Sequence, residues 1–125
     1  QSVLSGSWYD PSHDGEGYVL EILADHRALV YWFTYDAQAN RRWFFGTGRV
    51  EGGRIVFSNL RTARGGLFGP EFDPTSVERY PWGTLELELE CGSGIASFTS
   101  SEDGFPAGTL NVERLTALNG LVCGN

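Results

Sequence analysis

Three consecutive stretches near the N-terminus alternate large apolar or aromatic side chains with polar ones: GYVLEIL over 17–23, ALVYWFTYD over 28–36 and RRWFFGTGRV over 41–50. The short polar segments ADHR and QAN separate them. A period of two interrupted by turn formers predicts antiparallel strands joined by hairpins. In the first stretch Tyr18, Leu20, Ile22 and Ala24 share one face, and Val19, Glu21 and Leu23 the other. In the second, Leu29, Tyr31, Phe33 and Tyr35 fall opposite Val30, Trp32 and Thr34, so both faces are bulky. Such a strand is either covered on both sides, or encloses a pocket on one face and carries an aromatic patch on the other. In the third, Trp43 and Phe45 oppose Phe44. Gly46 and Gly48 predict a bulge or sharp coil, since strand glycines contribute no packing.

The remaining elements extend this core. SGSWY over 5–9 reads as a short first strand, followed by the turn-rich loop DPSHDGEG. EGGR leads into RIVFSNLRT over 54–62, with Ile55 and Phe57 opposite Val56. The alternation then breaks over 63–83, a segment holding three prolines and four glycines. A connection longer than about 15 residues is usually a functional loop or hides an element of its own. Within it TSVER predicts one helical turn capped by Thr75 or Ser76. Leu85, Leu87 and Leu89 alternate with Glu86, Glu88 and Glu90, a half-buried strand whose glutamates face water. CGSG turns into IASFTSS, and GTLNVERL follows the turn DGFPAG. Eight strands and no long amphipathic helix predict an all-β antiparallel meander. The expected architecture is one domain over residues 1–125, an eight-stranded up-and-down β-barrel, with a two-sheet sandwich as the alternative.

Charge and cysteine usage narrow the partners and the compartment. A net charge of −7 argues against nucleic acid and anionic lipid, both of which need a concentrated cationic surface. Apolar runs such as ALVYWF fall far short of the ~20 residues needed to cross a bilayer, so no membrane insertion is expected. The start at Gln1 suits a mature end left by signal-peptide removal. Cys91 closes a strand and Cys123 lies near the C-terminus, so one bridge would pin the tail to a strand end. A disulfide implies a secreted or periplasmic protein; the alternative is two free thiols in the cytosol.

Candidate chemistry is sparse. Asp10, His13, Asp14 and Glu16 form the densest group of possible ligands for a hard cation, but their spacing matches no metal motif and a solvated turn is expected. His26 stands in a different turn. Paired carboxylates for glycoside hydrolysis would have to come from Glu16, Glu21, Asp36, Glu71 and Asp73. No GxSxG, GxGxxG or Walker loop occurs, so no catalytic residue and no cofactor is predicted. The aromatic content, four Trp, five Tyr and eight Phe, carries more information. Trp8, Tyr18, Tyr31, Trp32, Tyr35, Trp43 and Trp82, with Phe68 and Phe72 from the irregular segment, are the candidate binding residues for a small molecule, glycan or protein. Equally, large rings can simply fill an eight-stranded interior. Arg41 and Arg42, beside Trp43, are expected to pair with Asp36 across the hairpin, with stacking on aromatic rings as the alternative.

The combination of Trp8, Tyr9, Asp10 and Pro11, then Gly15, Gly17 and Tyr18, then Trp32, Phe33, Thr34, Tyr35 and Asp36, then Trp43 and Phe44 resembles a pattern in exported bacterial proteins and domains of no assigned activity. The resemblance covers roughly the first half of the chain and implies export and a β fold, with no catalytic residues to transfer. A shorter likeness, through Gly6, Trp8 and Tyr9 and the strand meander, is to avidin and lipocalin barrels and implies topology alone. The expected function is a non-catalytic exported binding module. The alternatives are an inhibitor of a secreted hydrolase, with GGLFGPEFDP as its inserted segment, and a carboxylate-based glycoside hydrolase.

Overall fold

The computed structural model describes residues 1–13, 15–121 and 123. The alternating stretches form β1 (Gly6–Tyr9), β2 (Gly17–Leu23), β3 (Arg27–Tyr35), β4 (Arg41–Glu51), β5 (Arg54–Arg64), β6 (Glu78–Leu89), β7 (Ser93–Ser100) and β8 (Gly108–Arg114). Each strand pairs with its sequence neighbours, and β8 returns to β1 through Trp8–Arg114 and Tyr9–Glu113, so the sheet closes into an up-and-down barrel rather than a sandwich. Turn chemistry sets the register. Asp25 and His26 both adopt positive φ, 61° and 57°, the backbone that matches the twist of a tight hairpin between β2 and β3.

Closure decides which of the two bulky faces is inside. Leu20, Val30, Phe44, Phe57, Leu85, Leu87 and Val112 point inward and are buried together. Tyr31, Phe33, Tyr35 and Trp43 lie on the outer wall and are exposed. The pairing of β4 with β5 shifts register between Phe45 and Arg49, the interval that contains Gly46 and Gly48. A Cβ on Gly48 would run into the Val56 carbonyl oxygen and the Phe57 ring, so this bulge requires glycine.

The segment 63–83 is more regular than its sequence implies. Ala63 and Arg64 belong to β5 and residues 78–83 to β6, which leaves 65–77 as the connection. The strand continues through Pro81 and Gly83, which pair with Arg61 and Leu60 across a register shift in the β5–β6 ladder. A 3₁₀ turn spans Pro74–Ser76, and its cap is Asp73, whose carboxylate accepts from the Thr75 N–H at 3.0 Å, instead of Thr75 or Ser76.

Alternating strand direction gives the barrel two unlike ends. One end carries the tight turns at 24–26, 52–53 and 90–92, together with the 3₁₀ turn Ser2–Leu4 and the segment after β8. The other carries the longer connections 10–16, 36–40, 65–77 and 101–107. At the tight end Arg114 lies 4.5 Å over the Trp8 ring and donates to the carbonyls of Val3, Ser5, Cys91 and Thr116. The Trp8 indole N–H donates to Leu4 O at 2.9 Å. The Cys91–Cys123 bridge, with Cα atoms 5.6 Å apart, fastens the C-terminal segment to the β6–β7 turn at this same end.

Two outcomes follow for stability. The bridge spans a sequence separation of 32, for which loop closure is worth about 3–4 kcal/mol, so Cys91→Ser/Cys123→Ser lowers the guanidinium midpoint without changing the strand content by circular dichroism. Gly48→Ala forces the bulge apart and costs about 1–3 kcal/mol in the same measurement, whereas Gly53→Ala, with open space at its Cβ and no left-handed backbone, costs less.

Candidate functional site

The end with the long connections opens into a cavity of roughly 410 Å³. Its walls are aromatic. Trp82 stacks on Phe44 with ring centres 3.9 Å apart, and Trp32 meets both edge-on at 5.2 and 5.3 Å. Phe98 lies 5.3 Å from Trp32, and Phe105, from the connection 101–107, lies edge-on to Phe44 and Trp82 at 5.7 and 5.4 Å. Below Trp32, Tyr18 stacks at 5.1 Å. These rings come together because Trp32, Phe44, Trp82 and Phe98 occupy inward positions near the same ends of β3, β4, β6 and β7.

The polar atoms of this cluster are unmatched. The Trp32 and Trp82 indole nitrogens and the Tyr18 hydroxyl are buried without a hydrogen-bond partner. A buried donor left in this state costs more than a satisfied one returns, and indoles ordinarily find an acceptor. Burial, with Glu16 and Asp10 adding negative potential, pushes the Tyr18 hydroxyl far above the ordinary phenol range, so it stays protonated.

Charged groups sit on the rim. The Glu16 carboxyl is half-buried and raised above its ordinary value by desolvation, partly offset by a hydrogen bond from Thr34. Asp36 is held below its ordinary value by the N–H groups of Asn40 and Gln38 at 2.9 and 3.0 Å and by Asn40 Nδ2 at 3.2 Å, which bind it into the β3–β4 turn. The expected pairing of Arg41 or Arg42 with Asp36 gives way to a different one. Arg42 is an inward position at the mouth, and its guanidinium forms a two-pronged ion pair with Glu102 at 2.7 and 2.8 Å. It also lies 5.6 and 5.2 Å from the Phe44 and Phe105 ring centres, so the connection carrying Glu102 and Phe105 is fastened over the cavity edge.

The nine candidate binding residues therefore separate into distinct places. Trp32 and Trp82 line the cavity, with Tyr18 directly beneath, and Tyr35, on the outward face at the end of β3, borders its rim. Trp8 is buried at the β1–β8 seam under Arg114. Tyr31 and Trp43 stand on the outer wall, in a row with Phe45 at 6.2 and 5.0 Å. Phe68 and Phe72 are exposed on the connection 65–77. Phe44, Phe98, Phe105 and the Arg42–Glu102 pair were not singled out from the sequence; the signal available was Phe105 held between glycine and proline in DGFPAG.

The remaining polar candidates are dispersed. Asp14 lies outside the described residues. Asp10 accepts from the Ser12 N–H and hydroxyl at 2.9 and 2.7 Å and meets His13 Nδ1 at 2.8 Å. Those contacts, Ser12 first, hold its carboxyl below the ordinary range. Among the described residues no group of three or more His, Cys, Asp or Glu side chains could hold a metal ion. Of the five candidate carboxylates, Glu16 and Asp36 share the cavity rim, while Asp73 caps its 3₁₀ turn and Glu21 and Glu71 are exposed elsewhere. Among the described residues no helix is long and apolar enough to cross a membrane.

Fold and cavity together define a class: an eight-stranded antiparallel up-and-down barrel open at one end, compatible with lipocalin- and avidin-like topology. Comparison with protein-family models, with curated proteins and with solved structures finds no match to this chain.

The rim pair has a definite pH signature. Arg42 lowers the Glu102 carboxyl, so the stability it contributes is present above the unfolded Glu value and is lost as pH falls through the lower folded one. Glu102→Gln is expected to reduce stability by on the order of 1 kcal/mol at pH 7 and to make the loss on acidification to pH 3 correspondingly smaller, measured by denaturant melts at both pH values.

Proposed function

We propose that this protein is a non-catalytic binding module that takes a small molecule or a short glycan segment into the mouth of its barrel. The observation that carries the reading is the aromatic cavity lined by Trp32 and Trp82, whose buried indole N–H groups have no partner. A ligand acceptor reaching them would restore two hydrogen bonds while its body covered the surrounding rings. A volume of roughly 410 Å³ lies within the range of small-molecule sites. The Cys91–Cys123 bridge supports an extracytoplasmic setting, secreted or periplasmic.

A second reading, an inhibitor that docks on a secreted hydrolase, is favoured by one observation. Phe68 is 98 % exposed and Leu67 62 % at the tip of the 65–77 connection. The tip is held in shape by the Phe72 N–H donating to Gly69 O at 3.1 Å and by Asp73 on Thr75. An apolar ring presented on an ordered loop suits a pocket on a partner protein.

The two readings separate experimentally. Native mass spectrometry of protein exported by a secreting host is expected to show a non-covalent adduct. Trp32→Phe and Trp82→Phe, each losing one N–H, are expected to weaken binding of the recovered ligand about tenfold while melting stays cooperative. Unchanged affinity in both variants would remove the cavity as the site. Replacing residues 66–70 by two glycines is expected to leave that binding intact. Loss of inhibition against a panel of secreted hydrolases on the same change would favour the second reading.

A further inference from the structure

The charges that face the cavity are unbalanced. Glu16 is half-buried on the rim, its hydrogen-bonding partner Thr34 is neutral, His13 and Asp10 act on it only through space and in opposite directions, and among the described residues no side chain forms an ion pair with it. Asp36, on the same rim, keeps its negative charge through the N–H groups of its own turn. Tyr35 also lines the rim, and Tyr18 below it is neutral. The Arg42 guanidinium is engaged by both oxygens of Glu102, and His13 Nδ1 by Asp10. A carboxylate half out of water and without a counter-ion is costly, and a positive group brought by a ligand would remove that cost.

The walls specify the remainder of the ligand. Trp32, Phe44, Trp82 and Phe98 offer ring surface, which attracts weakly hydrated cations and covers apolar groups. Anions are disfavoured by the two rim carboxylates and by the net charge of −7. An uncharged apolar molecule would fill the same volume but leave Glu16 without a counter-ion. We propose that the mouth of the barrel receives a small organic cation, an ammonium group on an apolar or aromatic body, with Glu16 as its counter-ion and the Trp32, Phe44, Trp82 and Phe98 rings as its walls. This rests on the barrel mouth being the ligand site, as proposed above. An ether, hydroxyl or carbonyl oxygen elsewhere on the ligand would meet the Trp32 and Trp82 N–H groups.

The chain has four Trp, so its indole N–H groups give four resolvable signals in a ¹⁵N-labelled sample. Trp32 and Trp82 belong to the cavity, Trp8 to the seam and Trp43 to the outer wall. Phenyltrimethylammonium and its uncharged carbon isostere tert-butylbenzene are titrated into the whole protein, the signals being assigned by Trp→Phe variants. Saturable shifts of the Trp32 and Trp82 signals with the ammonium, at least tenfold weaker binding of the isostere, and a tenfold loss of ammonium affinity in Glu16→Gln are expected. Equal binding of the two probes overturns the proposal whether or not Glu16→Gln folds, since that comparison uses the unaltered chain, and leaves the mouth as an uncharged-ligand site. Undiminished ammonium affinity in a folded Glu16→Gln overturns Glu16 as counter-ion. Shifts confined to Trp43 place the cation on the outer wall and overturn the proposal. No shift of Trp32 or Trp82 with either probe overturns both the proposal and the mouth-binding reading.

Discussion

The barrel depends on one closure. Every other strand pair is a hairpin, local in sequence, whereas β1 must find β8 from the opposite end of the chain, and β1 is only Gly6–Tyr9. Ladder hydrogen bonds over so short an overlap are few, and an unclosed sheet would leave two bare edges. Arg114 compensates. Its planar guanidinium covers the Trp8 ring while its N–H groups reach the backbone before β1, after β8 and in the β6–β7 turn. A lysine offers neither the planar stack nor the divergent donors. The buried interior exists because this seam is shut, and the aromatic cavity is the open end of that interior.

Strand positions and the barrel itself were legible because side-chain alternation has a fixed period and the turns carry turn chemistry. Leu85, Leu87 and Leu89 inside, with Glu86 and Glu88 outside, show the relation at its simplest. The run 63–83 misled for an equally local reason: Pro81 and Gly83 read as breakers, but an irregular ladder against Leu60 and Arg61 lets both stay in β6. Inward and outward faces of β3 could not be ranked from sequence, since Tyr31 and Phe33 are as apolar as Val30 and Trp32; only closure chose between them. The rim was least legible. Arg42 and Glu102 are sixty positions apart, and nothing in either neighbourhood announces the other.

Aromatic residues thus serve separate ends in one small chain. Trp8 is part of the closure, Trp32 and Trp82 form a polar-atom-bearing wall, and Tyr31, Trp43 and Phe45 pack along the outside of β3 and β4. A count of rings treats these as one property. Their places on the barrel make them three, and only one of the three borders a cavity with donors to offer.

The unlike ends of the barrel also orient it in space. Because β1 runs toward the mouth and β8 away from it, the segment before β1 and Cys123 after β8 both lie at the tight end, where Arg114 and the Cys91–Cys123 bridge brace the structure. A pull applied through either of these segments, by a linker or by a surface used for immobilisation, therefore falls on the reinforced base. The mouth, at the opposite end of the strands, carries none of that load.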